Sequence, residues 1–234
     1  MDEEEHGMVA TGRLTRDDWI AAARKVLIGS GVDDVKVDLL ARRLKVTRGS
    51  FYWHFKDRQD LLNALLEDWE TSNRREMAAI EALVAEEGST LIELFRIWLG
   101  QDSSVPAFDI AIRSWARKSK SAAKLVREVD GAWIILFQAY LERSGMVAPE
   151  SFVRARIMYF HQVGYFALSI SESLAERARL APYYYEALTG APAPEGMVDM
   201  LLASKQAGSR SSASGAGRVK AVRDAPDLLS KQAN

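Results

Sequence analysis

The chain has 234 residues, 48% of them hydrophobic, with a formal net charge of −1 and no cysteine. That size and apolar content can form a substantial core in one large or two smaller domains, and the missing cysteines exclude a disulfide framework and a thiolate metal site. No apolar run approaches the roughly 20 residues of a membrane span, and the opening MDEEEHGMVATG is acidic and polar, unlike a signal peptide, so a soluble cytoplasmic protein with no membrane association is expected.

Resolved along the chain, the charge is segregated: residues 1–12 carry −4, 13–58 carry +5, 59–203 carry −6 and 204–234 carry +4. A positive face on an otherwise acidic protein suits a polyanionic partner, because it steers the partner to one surface while the like-charged remainder limits non-specific adhesion. Residues 1–12 read as a flexible acidic arm, and 204–234, dominated by Ser, Gly, Ala and basic residues, as a disordered tail.

The first element is a helix from Thr15 to about Ile28. Thr15 caps it, Asp17 and Asp18 occupy its positive first turn, and Trp19, Ile20, Ala23, Val26 and Leu27 form its apolar stripe. Gly29 and Gly31 stop it, and Val32, Val35 and Val37 lead onward. Residues 39–62, LLARRLKVTRGSFYWHFKDRQDLL, then pack a helix with Leu39, Leu40 and Leu44 on one side, a turn at Lys45 and Val46, and a second helix from about Arg48 to His54. Small Ala41 lets the two helices cross closely, and Thr47 is placed to cap the second one.

Phe51 and Phe55, four residues apart, can anchor that short helix. Arg48, Gly49, Ser50, Tyr52, Trp53 and His54 are then left on the other faces. A helix of that length fits a DNA major groove about 12 Å wide. Arg48 can offer paired donors to a guanine edge or a phosphate, Gly49 admits close backbone approach, and Tyr52 and His54 can donate to phosphate oxygens. Trp53 can meet a thymine methyl or the sugar-phosphate chain. The segment reads as a DNA-binding helix-turn-helix.

Residues 13–66 resemble the N-terminal domain of the TetR family of bacterial transcriptional repressors. The resemblance rests on Leu40-Ala41, the turn ending in Val46, the run Gly49-Ser50-Phe51-Tyr52-Trp53-His54-Phe55, and the following Lys56-Asp57-Arg58-Gln59-Asp60-Leu61-Leu62, in which Asp57 caps a long connecting helix. Two positions depart from the family pattern. Lys45 stands where glycine is usual, which costs about 1 kcal/mol or more if the turn is left-handed. Lys36 stands where threonine usually caps the second helix, and can offer its charge to the DNA backbone instead. Arg58 is assigned to a phosphate.

Beyond Asp57 the periodicity of Leu61, Leu62, Leu65, Leu66, Trp69, Met77, Ile80 and Val84 predicts a helix to near Gly88. Further helices are expected from Ser89 to Leu99, from about Pro106 to Lys118, from Ser121 to Gly145 with Leu125, Val129, Ala132, Trp133, Leu136, Phe137 and Tyr140 inward, from Pro149 to about Leu174, and from Leu180 to Leu188. No alternating strand pattern competes. The fold class is therefore all-α: a three-helix helix-turn-helix domain over 13–58 and a larger helical-bundle domain for ligand binding and dimerisation over 59–203.

On the long helix after Pro149, Phe160, Gly164, Ala167 and Ser171 recur at spacings of three and four, a stripe that admits a second helix. The family resemblance implies a homodimer there, built as a four-helix bundle, and a dimer places two readers on a two-fold site. A second line, Ile157, His161, Tyr165 and Leu168, could join Phe108, Trp115, Trp133, Phe137 and Tyr140 around an aromatic cavity. The resemblance makes that cavity a receptor for a small-molecule effector, with His161 its best polar candidate. The same aromatics serve equally as plain core.

His6, His54 and His161 are not paired at ligand spacing, so no metal or cofactor is expected, and no Ser-His-Asp or paired-carboxylate arrangement points to an enzyme. The expected function is a repressor that binds a palindromic operator as a homodimer and is released by a small hydrophobic or aromatic ligand. The alternatives are a ligand-independent DNA-binding regulator and, from another class, a hydrophobic-ligand carrier or enzyme without DNA function.

Overall fold

The computed structural model describes residues 14–85, 92, 94, 95, 99 and 104–203. The acidic arm, the tail 204–234 and most of the helix expected over 89–99 lie outside the described residues. Among those described the regular structure is helical, with no strand, as the sequence periodicity requires. The chain divides into two compact units, residues 1–82 with 102–170 and residues 83–101 with 171–234.

In the first unit, α1 (Arg16–Ser30) opens on a full capping box. The Thr15 hydroxyl accepts from the Asp18 amide, and the Asp18 carboxylate accepts from the Thr15 amide at 2.8 Å. Trp19, Ile20, Ala23, Val26 and Leu27 are all buried, and Gly31, at φ +81°, ends the helix in a conformation that a side chain would strain. A 3-10 turn, Val32–Asp34, leads to α2 (Val37–Arg43), which is followed by α3 (Arg48–Phe51) and α4 (Arg58–Ala85). Asp57 caps α4 by accepting from the Asp60 amide at 2.9 Å, and Asp60 accepts in return from the Lys56 amide. Leu61, Leu62, Leu65, Leu66, Trp69 and Ile80 of α4 are buried, while Met77 is only half-buried.

The same unit continues with α5 (Ser104–Ala116), α6 (Lys120–Arg143) and α7 (Glu150–Ala167). Pro106 lies in the first turn of α5, where a missing amide hydrogen is harmless. Ser119, not Ser121, caps α6, its hydroxyl accepting from the Ala122 amide. The inward column of α6 is Ala122, Val126, Val129, Trp133, Phe137 and Leu141. Ala132 is exposed and Leu125 and Leu136 are half-buried, so the expected stripe was wider than the face that packs.

The largest correction concerns α7. It ends at Ala167 instead of near Leu174, because Ser169 takes a left-handed φ of +52°. No glycine or proline marks the break. Ser173 then opens α8 (Leu174–Thr189) of the second unit, again through a capping box, with Glu176. This helix starts six residues before the expected Leu180 and runs through Pro182, which forfeits one backbone hydrogen bond inside it. In this unit Ala178, Ala181 and Leu188 are buried, and Phe95 and Tyr185 meet with ring centroids 6.3 Å apart.

Two sets of contacts in the first unit tie the helix-turn-helix to the helices that follow. Arg24 of α1 forms an ion pair with Asp68 of α4 while its guanidinium lies 4.5 Å over the Phe108 ring of α5. Lys118, just after α5, reaches Asp33 of the 3-10 turn at 3.1 Å.

Candidate nucleic-acid interface

The site is built on an aromatic foundation. Trp19 meets Phe51 edge-on at 5.3 Å, Phe51 stacks on Phe55 at the same distance, and the Arg16 guanidinium covers the far Phe55 ring at 5.0 Å. Phe51 and Phe55 are 0% and 1% exposed, as their four-residue spacing predicts. Burial of such side chains is worth about 2 kcal/mol each, enough to hold a helix of one turn that would not persist alone.

The turn between α2 and α3 is closed by the Val46 amide donating to the Ala41 carbonyl at 3.0 Å. Ala41 is 4% exposed, so its small side chain does lie where the helices cross. Lys45 has φ +56°, the left-handed conformation for which glycine is the usual residue. The helix that follows is shorter than expected: α3 ends at Phe51, and Tyr52 to His54 form a turn, with the His54 and Phe55 amides both donating to the Phe51 carbonyl. Thr47 occupies the N-cap position, but its hydroxyl accepts no capping bond.

On this frame Tyr52 is 52% exposed and Trp53 77%, high values for large aromatics in a domain that buries Trp19, Phe51 and Phe55. Thr47, Arg48 and Gly49 are exposed, and Ser50 and His54 are half-buried. A methyl group on Gly49 would meet only the Thr47 hydroxyl oxygen, at 3.7 Å, so the bare backbone is not demanded by the chain's own packing. Arg42, Arg43, Lys45 and Lys56 add exposed positive charge to the same domain. The sequence-based selection of site residues passed over them, although their clustering was countable in the charge of 13–58.

Two selected residues have partners within the chain. Arg58 donates from Nε to the Val35 carbonyl and from Nη2 to the Val32 carbonyl, each at 2.6 Å, so part of its donor fork serves the chain itself. Lys36, at the N-cap of α2, makes no cap bond and pairs with Asp34 at 3.3 Å. Arg48 also has company: its Nε lies 3.5 Å from Asp38 and its Nη2 donates to the Tyr52 hydroxyl at 3.3 Å. The Tyr52 bond, followed by the Asp38 charge, holds the guanidinium above its ordinary pKa.

The expected effector residues differ in burial. Phe108, Trp115, Trp133 and Phe137 are buried, while Tyr140, His161 and Tyr165 are half-buried. Trp133 lies near Phe137 at 5.6 Å and Phe137 near Tyr159 at 6.4 Å, whereas His161 meets Tyr165. Sequence reasoning missed the polar group beside them. Arg113 donates to Asp109 at 2.7 Å, to Asp130 at 2.9 Å and to the Tyr159 hydroxyl at 2.8 Å, while Tyr159 donates to Asp130 at 2.6 Å. Trp69 Nε1 donates to Asp109, and Trp133 Nε1 to Asn73. Burial weighs against the Arg113 charge, but Asp109 and Asp130 outweigh it and raise its pKa; burial likewise pushes the Tyr159 phenol up.

Of the expected pairing stripe, Phe160 is 51% exposed and Ala167 is exposed, while Gly164 is half-buried with nothing within 4 Å of where a Cβ would stand. Ser171 lies beyond the end of α7 and cannot continue the stripe. Phe152, Val153 and Ile157 extend the exposed apolar surface of α7 instead, and Arg156 lies over both the Phe152 and Phe160 rings.

Residues 20–65 match the family model for bacterial regulatory proteins of the tetR family. Over 57 residues the chain is 42% identical to the HTH-type transcriptional regulator TtgW of Pseudomonas putida, a match spanning 24% of this chain and 42% of that protein. The chain thus spans less than half the length of the curated relatives it matches. The fold extends further. A transcriptional regulator from Rhodococcus sp. Rha1 superposes with TM-score 0.54 at 21% identity, covering 82% of this chain and 97% of that one. The multidrug binding protein EbrR, solved with imidazole, superposes with TM-score 0.52 at 21% identity, covering 76% and 96%. Residues 20–65, which hold the helix-turn-helix, thus carry the sequence pattern of the TetR family of bacterial regulatory proteins.

Proposed function

We propose that the protein is a transcriptional regulator that binds double-stranded DNA through residues 36–56, as a homodimer on a two-fold operator, in the bacterial cytoplasm. The observation that carries this reading is the exposure of Tyr52 and Trp53 beside Arg48 and a bare Gly49, on a turn of helix rigidly seated by Phe51 and Phe55. Exposed aromatics with convergent donors suit base edges and phosphates better than water. Dimerisation is supported by the apolar outer face of α7, where open space at Gly164 admits the backbone of a second helix.

Repression relieved by a small hydrophobic or aromatic ligand is the regulatory form we favour. The aromatics Trp133, Phe137 and Tyr159 adjoin the polar group around Arg113, and the contacts of Arg24 with Phe108 and Asp68 link that region to α1. A ligand with differential affinity for two arrangements of these helices would shift operator affinity by the same free energy. One observation favours ligand-independent regulation: the Arg113, Asp109, Asp130 and Tyr159 groups already satisfy one another.

A mobility-shift assay on the DNA upstream of the protein's own gene, with and without a panel of aromatic and aliphatic small molecules, tests both levels. A shift relieved by a ligand is expected. A shift that no ligand relieves would remove the effector, and no shift at low salt would remove DNA binding itself.

A further inference from the structure

Arg48 opens the recognition segment, and two side chains stand beside its guanidinium. Asp38, in the first turn of α2, faces its Nε at 3.5 Å, and Tyr52, one turn further along, accepts from its Nη2 at 3.3 Å. The three side chains are well exposed, Arg48 at 60% and Asp38 at 66%, so the pair adds little to stability. Its consequence is directional. Nε faces the Asp38 carboxylate and one Nη2 hydrogen is given to Tyr52, which leaves the two Nη1 hydrogens and the second on Nη2 at the end of the fork.

We propose that Asp38 and Tyr52 are positioning residues that make Arg48 a selector for one guanine in each half-site. A phosphate contact asks chiefly for charge, and Asp38 partly cancels that charge and repels a phosphate. A guanine edge asks for two donors in a fixed direction, which is what the free end of the fork supplies to O6 and N7. The Tyr52 hydroxyl, accepting from Arg48, keeps its own hydrogen for a neighbouring phosphate oxygen. Asp38 thus disfavours indiscriminate backbone binding while it orients the base contact. The inference rests on the DNA-binding reading above and specifies how that surface discriminates.

The test is selection from a fully randomised duplex library, followed by affinity measurements on single-pair variants of the selected site. Wild type is expected to enrich a two-fold motif containing one G·C pair per half whose preference Arg48→Ala abolishes. Asp38→Asn is expected to lower the preference for that same pair about tenfold, the size of one good bidentate contact, while binding to unrelated DNA rises. In the double variant Asp38→Asn has no further effect. Tyr52→Phe should act at the same pair, and serves if Asp38→Asn does not fold. A uniform change in affinity at every position, or a change at a different pair, overturns the positioning role. Enrichment of no sequence by wild type overturns the DNA-binding reading together with it.

Discussion

Arg58, in the first turn of α4, donates from Nε to the Val35 carbonyl at 2.6 Å, and from Nη2 to the Val32 carbonyl at the same distance. One side chain thereby fastens the segment that enters α2 to the start of the long helix. The planar fork serves two carbonyls at once, which a lysine ammonium cannot do in the same geometry. Arg58→Ala should therefore destabilise the protein by about 2 kcal/mol or more, since hydrogen bonds from a charged donor are lost and two carbonyls lose their partner. Thermal unfolding would record the loss, and Arg58→Lys should recover little of it. The salt dependence of DNA binding should stay at its wild-type slope, contrary to the phosphate role that the sequence suggested.

Lys45 holds a left-handed φ of +56° in the turn of the helix-turn-helix. Replacing it with glycine removes the strain of its Cβ but adds freedom to the unfolded chain, and relief of the strain outweighs that added freedom by roughly 0.5–1 kcal/mol. Lys45→Gly should raise the melting temperature. Lys45→Ala, which keeps the Cβ, should not, and that pair of variants separates backbone strain from the loss of a charge.

The capping boxes give the acid side of the stability profile a definite sign. Asp18 is held below its ordinary pKa by hydrogen bonds from the Thr15 amide and then the Thr15 hydroxyl. Glu176 is held down in the same way at Ser173. A depressed folded pKa means stabilisation that is present above the unfolded value near 4 and is lost as pH falls through the folded one. The first turn of α1 should fray on acidification below the ordinary carboxylate range. Amide exchange at Asp18 would detect it, and Asp18→Asn should flatten the response.

Arg113 holds two carboxylates and a phenol in a part-buried group. Arg113→Met fills similar space but leaves Asp109 and Asp130 without their cation, which should cost about 3–5 kcal/mol at neutral pH. Denaturant melts of the variant beside the wild type would measure the loss.

Gly164 meets nothing within 4 Å at the position of a would-be Cβ. Gly164→Leu should therefore leave the fold of one chain intact, apart from a small gain in helix propensity. If α7 pairs with a second copy, the added side chain should drive the dimer to monomer in light scattering at the same concentration. A Gly164→Leu protein that remains a full dimer would place the interface elsewhere.

Local chemistry was enough for much of the fold. Thr15 and Asp18 close a cap within four residues, the α1 and α4 stripes follow one helical period, and the Phe51 and Phe55 spacing places both rings inward, so each was readable without knowing what lay opposite. The helix-turn-helix was legible for the same reason, and the family resemblance singled out Lys45 as the imperfect residue of its turn. The end of α7 was not, because the apolar run through Leu168 and Ile170 carries no stop residue and Ser169 turns left-handed in its midst; the Ser173 and Glu176 capping box was the available signal. Nor could sequence spacing foretell that Arg58 reaches back 23 residues to Val35, that Arg113 meets Asp130 and Tyr159, or that Asp38 stands beside Arg48. Those pairings join residues from different elements. The sequence alone determined that the chain is helical and where the apolar stripes of α1 and α4 lie, since those depend on neighbours one turn away. Only tertiary packing decided how the charged side chains are used, because a guanidinium finds its partners only after the helices have brought them within reach.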